Sequence, residues 1–128
     1  MRIKASLFLV LLFSVVSFAA DLPLLYADAE AIWLKRRDSS EYQTYAAEFA
    51  QFNNHFHLDE KGGCYQISPE PVDLMLVITH SKGEKFAVIE RAVSSVDSLK
   101  AQCFKNNYIG VPTKIPPYLP FVLQMRMG

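Results

Sequence analysis

The N-terminal apolar segment sets both the compartment and the length of chain that is left to fold. Met1–Lys4 is basic, the chain is uncharged from Ala5 to Ala20, and Asp21 follows directly. A basic start, an apolar run and small residues at its end are typical of a secretory signal peptide. The run is shorter than the about 20 apolar residues that span a bilayer. We therefore expect residues 1–20 to be a cleaved signal peptide that leaves no membrane span, with retention as an anchor as the alternative.

Charge and length restrict the class of the remaining chain. The full sequence has 128 residues, and its 13 Lys and Arg are balanced by 13 Asp and Glu. Nucleic-acid-binding proteins need a basic surface that displaces counterions from phosphates, so we expect no nucleic-acid partner. The residues that follow the signal peptide suffice for one small domain, located in the periplasm or secreted.

Two cysteines follow the signal peptide, and export changes what they mean. Cys64 and Cys103 are the only cysteines in the chain. In an oxidising compartment, two cysteines of a small domain usually form a disulfide. The chain-entropy treatment assigns about 4 kcal/mol to a loop of this length. A redox-active pair would favour Cys-x-x-Cys spacing, so we predict a structural disulfide.

Two helices are predicted before the first strand. Residues 26–37 are rich in helix-favouring side chains and end in Lys35-Arg36-Arg37, within an N-terminal helical segment over 21–39. Ser40 and Gln43 then have the spacing of a capping box, which opens a second helix. Aromatic side chains recur along that helix at helical spacing, and we expect them to pack in the core: Tyr42, Tyr45, Phe49, Phe52 and Phe56.

The rest of the chain alternates strands with one more helix. Val72–His80 is apolar on both faces near its middle, which predicts a central strand, and a turn at Gly83 leads to a partner strand over Lys85–Val93. Cys64–Ile67 is predicted as a short edge strand, and Leu119–Met127 as the last strand. The third helix is predicted from Ser95 to Asn107, and its inward-facing residues are expected to be Val96, Leu99, Cys103 and Asn106. The expected fold is α+β: a small antiparallel sheet, formed by a hairpin and a C-terminal strand, carries two or three helices on one face, with one disulfide.

A search for catalytic or metal-binding groups yields only weak candidates. His55 and His57 share a face only on a strand, whereas the local pattern is helical. His80 has neither a nucleophile nor an orienting acid in a recognisable motif. The acids that remain are typical of a solvated surface: Asp59, Glu60, Glu70 and Asp73. We therefore predict no catalytic residues, no metal, no cofactor and no enzymatic activity.

The order of elements in residues 40–128 resembles the periplasmic C-terminal domains of the TonB/TolA superfamily. The resemblance rests on the hairpin around Gly83, the helix that contains Cys103, and Ile115-Pro116-Pro117 before a final strand. It also relates the helix Ser40–Asn54 to the helix that precedes the hairpin in that family. Domains similar to TolA link the first strand region to this helix by a disulfide, a role that Cys64 and Cys103 match. The resemblance implies an α+β fold that acts through contacts with an envelope or secreted protein.

The resemblance also implies a way of binding, in which a partner adds a strand to an exposed sheet edge. Leu119–Met127 is the candidate edge, and the residues assigned to it are Leu119, Phe121, Leu123 and Met125. One alternative is that this strand is paired or covered within the protein. Another is a small exported inhibitor or immunity-type protein that binds through Trp33, Arg36 and Arg37. A third is an enzyme in which the histidines and acids converge in a cleft. The sequence leaves the partner's identity and the oligomeric state open.

Overall fold

A computed structural model describes residues 25–59 and 63–128, with the backbone alone for 54–59. Within these residues the helices are α1 (Tyr26–Arg36), α2 (Ser40–Asp59) and α3 (Leu99–Tyr108), with a 3-10 turn at Cys64–Gln66. The strands are β1 (Val72–Ile78), β2 (Ser81–Lys82), β3 (Phe86–Val88), β4 (Arg91–Ser94), β5 (Pro112–Thr113) and β6 (Phe121–Met127). The fold is α+β with one disulfide, as predicted. The predicted signal peptide lies outside the described residues. None of the helices in the described part is long and apolar enough to cross a bilayer.

The main sheet has three antiparallel strands in the order β4-β1-β6. Leu74 in the middle of β1 lies opposite Ser94 of β4 and Met125 of β6. The prediction that β1 is central is correct, because its side chains are buried on both faces of the sheet. β6 pairs with β1 along all seven of its residues and forms one edge of the sheet.

Helices cover both faces of this sheet, whereas the sequence analysis placed them on one face. On one face, Leu74, Leu76 and Phe121 pack with the aromatic side chains of α2 and α3. On the other face, Met75 and Val77 pack with Val122 and with Ala29 of α1. Since successive strand residues point to opposite faces, the continuous apolar run in β1 requires a cover on each side.

The predicted partner strand Lys85–Val93 is wrong as a single element. Only its end, β4, pairs with β1, whereas β3 pairs with β2 and β5 in a second small sheet. The Glu90 carboxylate accepts hydrogen bonds from the backbone N–H groups of Thr79 and His80, both at 3.2 Å. These bonds occupy the donors that would otherwise continue the ladder, and they close a loop that carries β2 and β3 away from the main sheet.

Two further predictions are corrected around the disulfide. Cys64–Gln66 forms a 3-10 turn rather than an edge strand. α3 starts at Leu99, because the Ser98 hydroxyl caps it by accepting a hydrogen bond from the Ala101 N–H at 3.1 Å. The buried face of α3 also differs from the predicted one: Lys100, Ala101, Phe104 and Tyr108 are buried, whereas Val96, Leu99 and Asn106 are exposed.

Candidate functional site

The outer edge of β6 presents backbone groups that the sheet does not use. The carbonyls of Asp73 and Val77 accept hydrogen bonds from the β4 side, at Ser95 and Glu90 respectively. Because backbone groups alternate in direction along a strand, Leu74 then faces β6, where it is paired with Met125. The residues on either side of Met125, Gln124 and Arg126, therefore direct their N–H and C=O groups away from the sheet.

One of these outward groups is already occupied. The Gln124 N–H donates to the Tyr42 hydroxyl at 3.2 Å, and that hydroxyl also accepts from Trp33 Nε1 at 3.0 Å. Tyr42 and Trp33 come from α2 and α1, so the two helices meet over the edge of the sheet at this point. This Tyr42 junction closes the edge at Gln124, and no described residue pairs with the outward backbone groups that follow it.

Beyond the junction a groove of about 160 Å³ runs between α2 and β6. Its wall on α2 consists of Ala46, Phe49 and Ala50, and its wall on β6 extends from Leu123 to Arg126. Two of the three α2 residues are alanines, so the helix leaves room next to the free backbone. An unpaired strand edge beside an apolar wall is the arrangement to which an extended peptide adds.

The four residues predicted to bind a partner differ in position and in exposure. Leu119 precedes β6 and is 43% exposed. Phe121 and Leu123 are buried in the core, and Met125 is partly buried against it. The side chains of Phe121, Leu123 and Met125 point to the sheet face that packs on α2 and α3. The backbone is therefore the accessible part of β6. Sequence reasoning missed Tyr42, Ala46 and Ala50 as edge neighbours, because their spacing indicates only an apolar helical face.

The predicted inhibitor residues lie at the end of α1. Trp33 is only partly buried, but its indole N–H is used at the Tyr42 junction. Arg36 is exposed, with its guanidinium 3.9 Å from the centre of the Tyr118 ring, and that of Arg37 lies 5.2 Å from the centre of the Trp33 ring.

The disulfide joins Cys64 in the 3-10 turn to Cys103 in α3. The two residues are 39 positions apart in sequence, and their Cα atoms are 5.5 Å apart. Asn107 Nδ2 donates to Cys64 Sγ at 3.2 Å. The predicted pairing is confirmed, and the bond attaches the start of the segment 63–71 to the helical layer.

A groove of about 370 Å³ lies on the opposite flank of α2. Glu48 of α2 and Lys114 line it and form an ion pair at 2.6 Å. The Tyr45 hydroxyl donates to the Lys114 carbonyl at 2.7 Å beneath this pair. Burial raises the pKa of Tyr45, so the phenol stays protonated. Its hydroxyl therefore donates the hydrogen bond that links α2 to the segment after β5.

The titratable groups named in the sequence analysis whose side chains are described lie at different places, because His80 follows the end of β1 whereas Glu70 and Asp73 lie around its start. His80 Nδ1 lies 2.8 Å from Glu90, Asp73 pairs with Arg126 at 3.3 Å, and Glu70 is exposed. The side chains of His55 and His57 and of the acids at 59 and 60 lie outside the described residues. Among the residues that are described, no group of three or more His, Cys, Asp or Glu side chains is placed to hold a metal ion.

Comparisons with known proteins add no relative to this picture. No protein-family model, no curated protein sequence and no solved structure matches the chain.

Proposed function

We propose that the chain is an exported protein-binding domain without enzymatic activity, periplasmic or secreted, and that it binds an envelope or secreted protein by strand addition at β6. The observation that carries this proposal is the outward-directed backbone of β6 beside the apolar wall of α2, namely the Gln124 C=O and the Arg126 N–H and C=O. An added strand would hydrogen-bond to β6 and place every second side chain against Phe49 and the two alanines.

The N-terminal sequence and the disulfide support the proposed export to the periplasm or the exterior. A basic, then apolar, N-terminus indicates export, and the Cys64–Cys103 bond is stable in an oxidising compartment. The resemblance of residues 40–128 to TonB/TolA C-terminal domains points to the same class of function.

The test removes one backbone donor and leaves the rest of the edge intact. Arg126→Pro deletes an N–H that faces away from β1, a position at which an edge strand accepts proline. Arg126→Ala is the matched control, because it removes the same side chain and its contact with Asp73 but retains the N–H. A photo-crosslinking residue at exposed Ala50 in the groove, in protein expressed in an exporting host, reports the bound partner by mass spectrometry.

We expect a partner that crosslinks in the wild type and in Arg126→Ala, with a yield at least about tenfold lower in Arg126→Pro, as the loss of backbone pairing predicts. Both variants should unfold at similar temperatures. Crosslinking that is equal in both variants, or that is no stronger from Ala50 than from the remote turn residue Glu84, would contradict strand addition at β6.

A further inference from the structure

A second surface of the protein lies where the end of α1 meets the segment before β6. There a recess of about 290 Å³ is lined by Ile32, Lys35, Arg36, Tyr118, Leu119 and Pro120. Ile32, Leu119 and Pro120 supply apolar surface, and Leu119 is 43% exposed in it. Lys35 and Arg36 supply two positive charges on the α1 side.

These charges have no carboxylate within ion-pair distance among the described residues. Lys35, Arg36 and Arg37 are all exposed, and none of them forms an ion pair with a carboxylate among the described residues. The ion pairs among the described residues join other side chains: His80 to Glu90, Lys114 to Glu48 and Arg126 to Asp73. Lys35, Arg36 and Arg37 outnumber Asp38, which follows them directly, so the end of α1 carries net positive charge on a chain whose total formal charge is zero.

Two of the cations are held in place rather than mobile in solvent. The Arg36 guanidinium stacks on Tyr118 at 3.9 Å, and that of Arg37 lies over Trp33, which is itself fixed by its hydrogen bond to Tyr42. Arginine that is already ordered on an aromatic ring loses less conformational entropy when it binds a carboxylate. Arginine and aromatic residues are also the types that dominate binding energy at protein interfaces.

We propose that this recess binds an acidic segment of a partner protein, with an aliphatic side chain in the apolar part and flanking carboxylates on Lys35 and Arg36. A protein segment fits better than an anionic membrane, because the apolar residues line a concavity and a bilayer needs them on a flat or protruding face. The surface is separate from the groove beside β6, so either site can be present without the other.

The test uses the mature, disulfide-bonded protein and a short probe. The probe is a pentapeptide of alternating glutamate and leucine, blocked at both ends, and its control is the same peptide with glutamine in place of glutamate. Amide shifts in NMR titrations report where each peptide binds. We expect shifts at Ile32, Lys35 and Leu119 with the acidic peptide only, and binding that weakens several-fold when the salt concentration is raised from about 0.05 to 0.3 M.

Variants then separate the recess from a general charge effect. Lys35→Gln with Arg36→Gln should weaken binding of the acidic peptide at least about tenfold, whereas Lys82→Gln with Lys85→Gln, which removes the same charge at a remote turn, should leave it unchanged. Leu119→Asp, which keeps α1 intact, should weaken binding as strongly. Absence of binding at millimolar peptide, equal binding of the glutamine peptide, or equal effects of the two double variants would overturn the proposal. So would binding to vesicles of phosphatidylglycerol without binding to the peptide, which would assign the surface to lipid.

Discussion

Lys100 shows at the scale of a single residue how a buried cation holds a loop. It is 2% exposed, and its Nζ donates to the carbonyls of Ser68 and Glu70 at 2.9 and 2.8 Å. These bonds attach the segment between the 3-10 turn and β1 to α3. The aliphatic part of the side chain fills space in the interior, and the ammonium group replaces its hydration by the two carbonyls.

Lys100→Met keeps the length of the side chain and removes both donors. We expect the free energy of unfolding to fall by about 1–3 kcal/mol, because the carbonyls of Ser68 and Glu70 lose a charged donor in a partly buried site. Urea unfolding monitored by circular dichroism measures the change. Lys85→Met, in an exposed turn, is the control and should change stability by less than about 0.5 kcal/mol. Equal stability of Lys100→Met and the wild type would show that water replaces the ammonium group without cost.

Glu90 gives a prediction on pH. Burial works to raise the pKa of this carboxyl, but hydrogen bonds from Thr79 and the contact with His80 outweigh burial, so that the pKa is lowered from its usual value. A carboxyl whose pKa is lower in the folded state stabilises the protein above its unfolded-state pKa and loses that contribution as the pH falls through the folded-state pKa. The stabilisation by Glu90 is therefore present at neutral pH and is lost below about pH 4.5.

Glu90→Gln should lower the free energy of unfolding by about 1–2 kcal/mol at pH 7, where hydrogen bonds to a charged acceptor are lost. The difference from the wild type should shrink as the pH is lowered through the depressed pKa of Glu90, since Glu90 then becomes neutral as well. Urea unfolding at a series of pH values provides the measurement, and Glu84→Gln in the exposed turn is the control. A difference that is constant over this range would show that the carboxylate's charge does not hold the loop.

At the scale of elements, α2 and α3 show which features the sequence could predict. The apolar spacing located α2, since Tyr42, Tyr45 and Phe49 are buried as expected, although Phe52 is 43% exposed. The predicted start of each helix was less accurate, because several nearby serines could each cap it. Ser39 rather than Ser40 accepts the Tyr42 N–H at 3.1 Å, and Ser98 rather than Ser94 or Ser95 caps α3.

The inner face of α3 could not be predicted from side-chain type alone. Leu99 is apolar but 73% exposed, and the lysine beside it is buried. The difference depends on carbonyls of a distant loop that satisfy the ammonium group, which is tertiary information. The candidate site has the same limit: the sequence predicts β6 as a strand, but whether its edge is exposed and that α2 lies alongside it depend on tertiary contacts.

At the scale of the whole molecule, the disulfide accounts for a large share of the stability expected of a small domain. Cys64 and Cys103 enclose a segment that contains β1 to β4, so the bond restricts much of the unfolded chain. The chain-entropy treatment assigns about 4 kcal/mol to a loop of this length. Domains of this size have total stabilities of about 5–15 kcal/mol.

Cys64→Ala with Cys103→Ala should therefore lower the free energy of unfolding by about 3–4 kcal/mol, mainly because the unfolded chain gains freedom. The denaturant dependence should also steepen, since a more open unfolded chain exposes more surface. Guanidinium unfolding of the variant and of the wild type measures both quantities, and the wild type reduced with dithiothreitol should behave like the variant. An unchanged midpoint would show that the bond adds no net stability.

The Tyr42 hydroxyl also affects how copies of this protein associate with one another at high concentration. An open strand edge is a template on which identical molecules can stack into fibrils, and the hazard grows with the length of the free ladder. By accepting the Gln124 N–H, one phenol oxygen shortens that ladder to the last residues of β6. Under the proposed strand addition, the edge that remains would admit a short segment of a partner while offering identical molecules little ladder on which to stack.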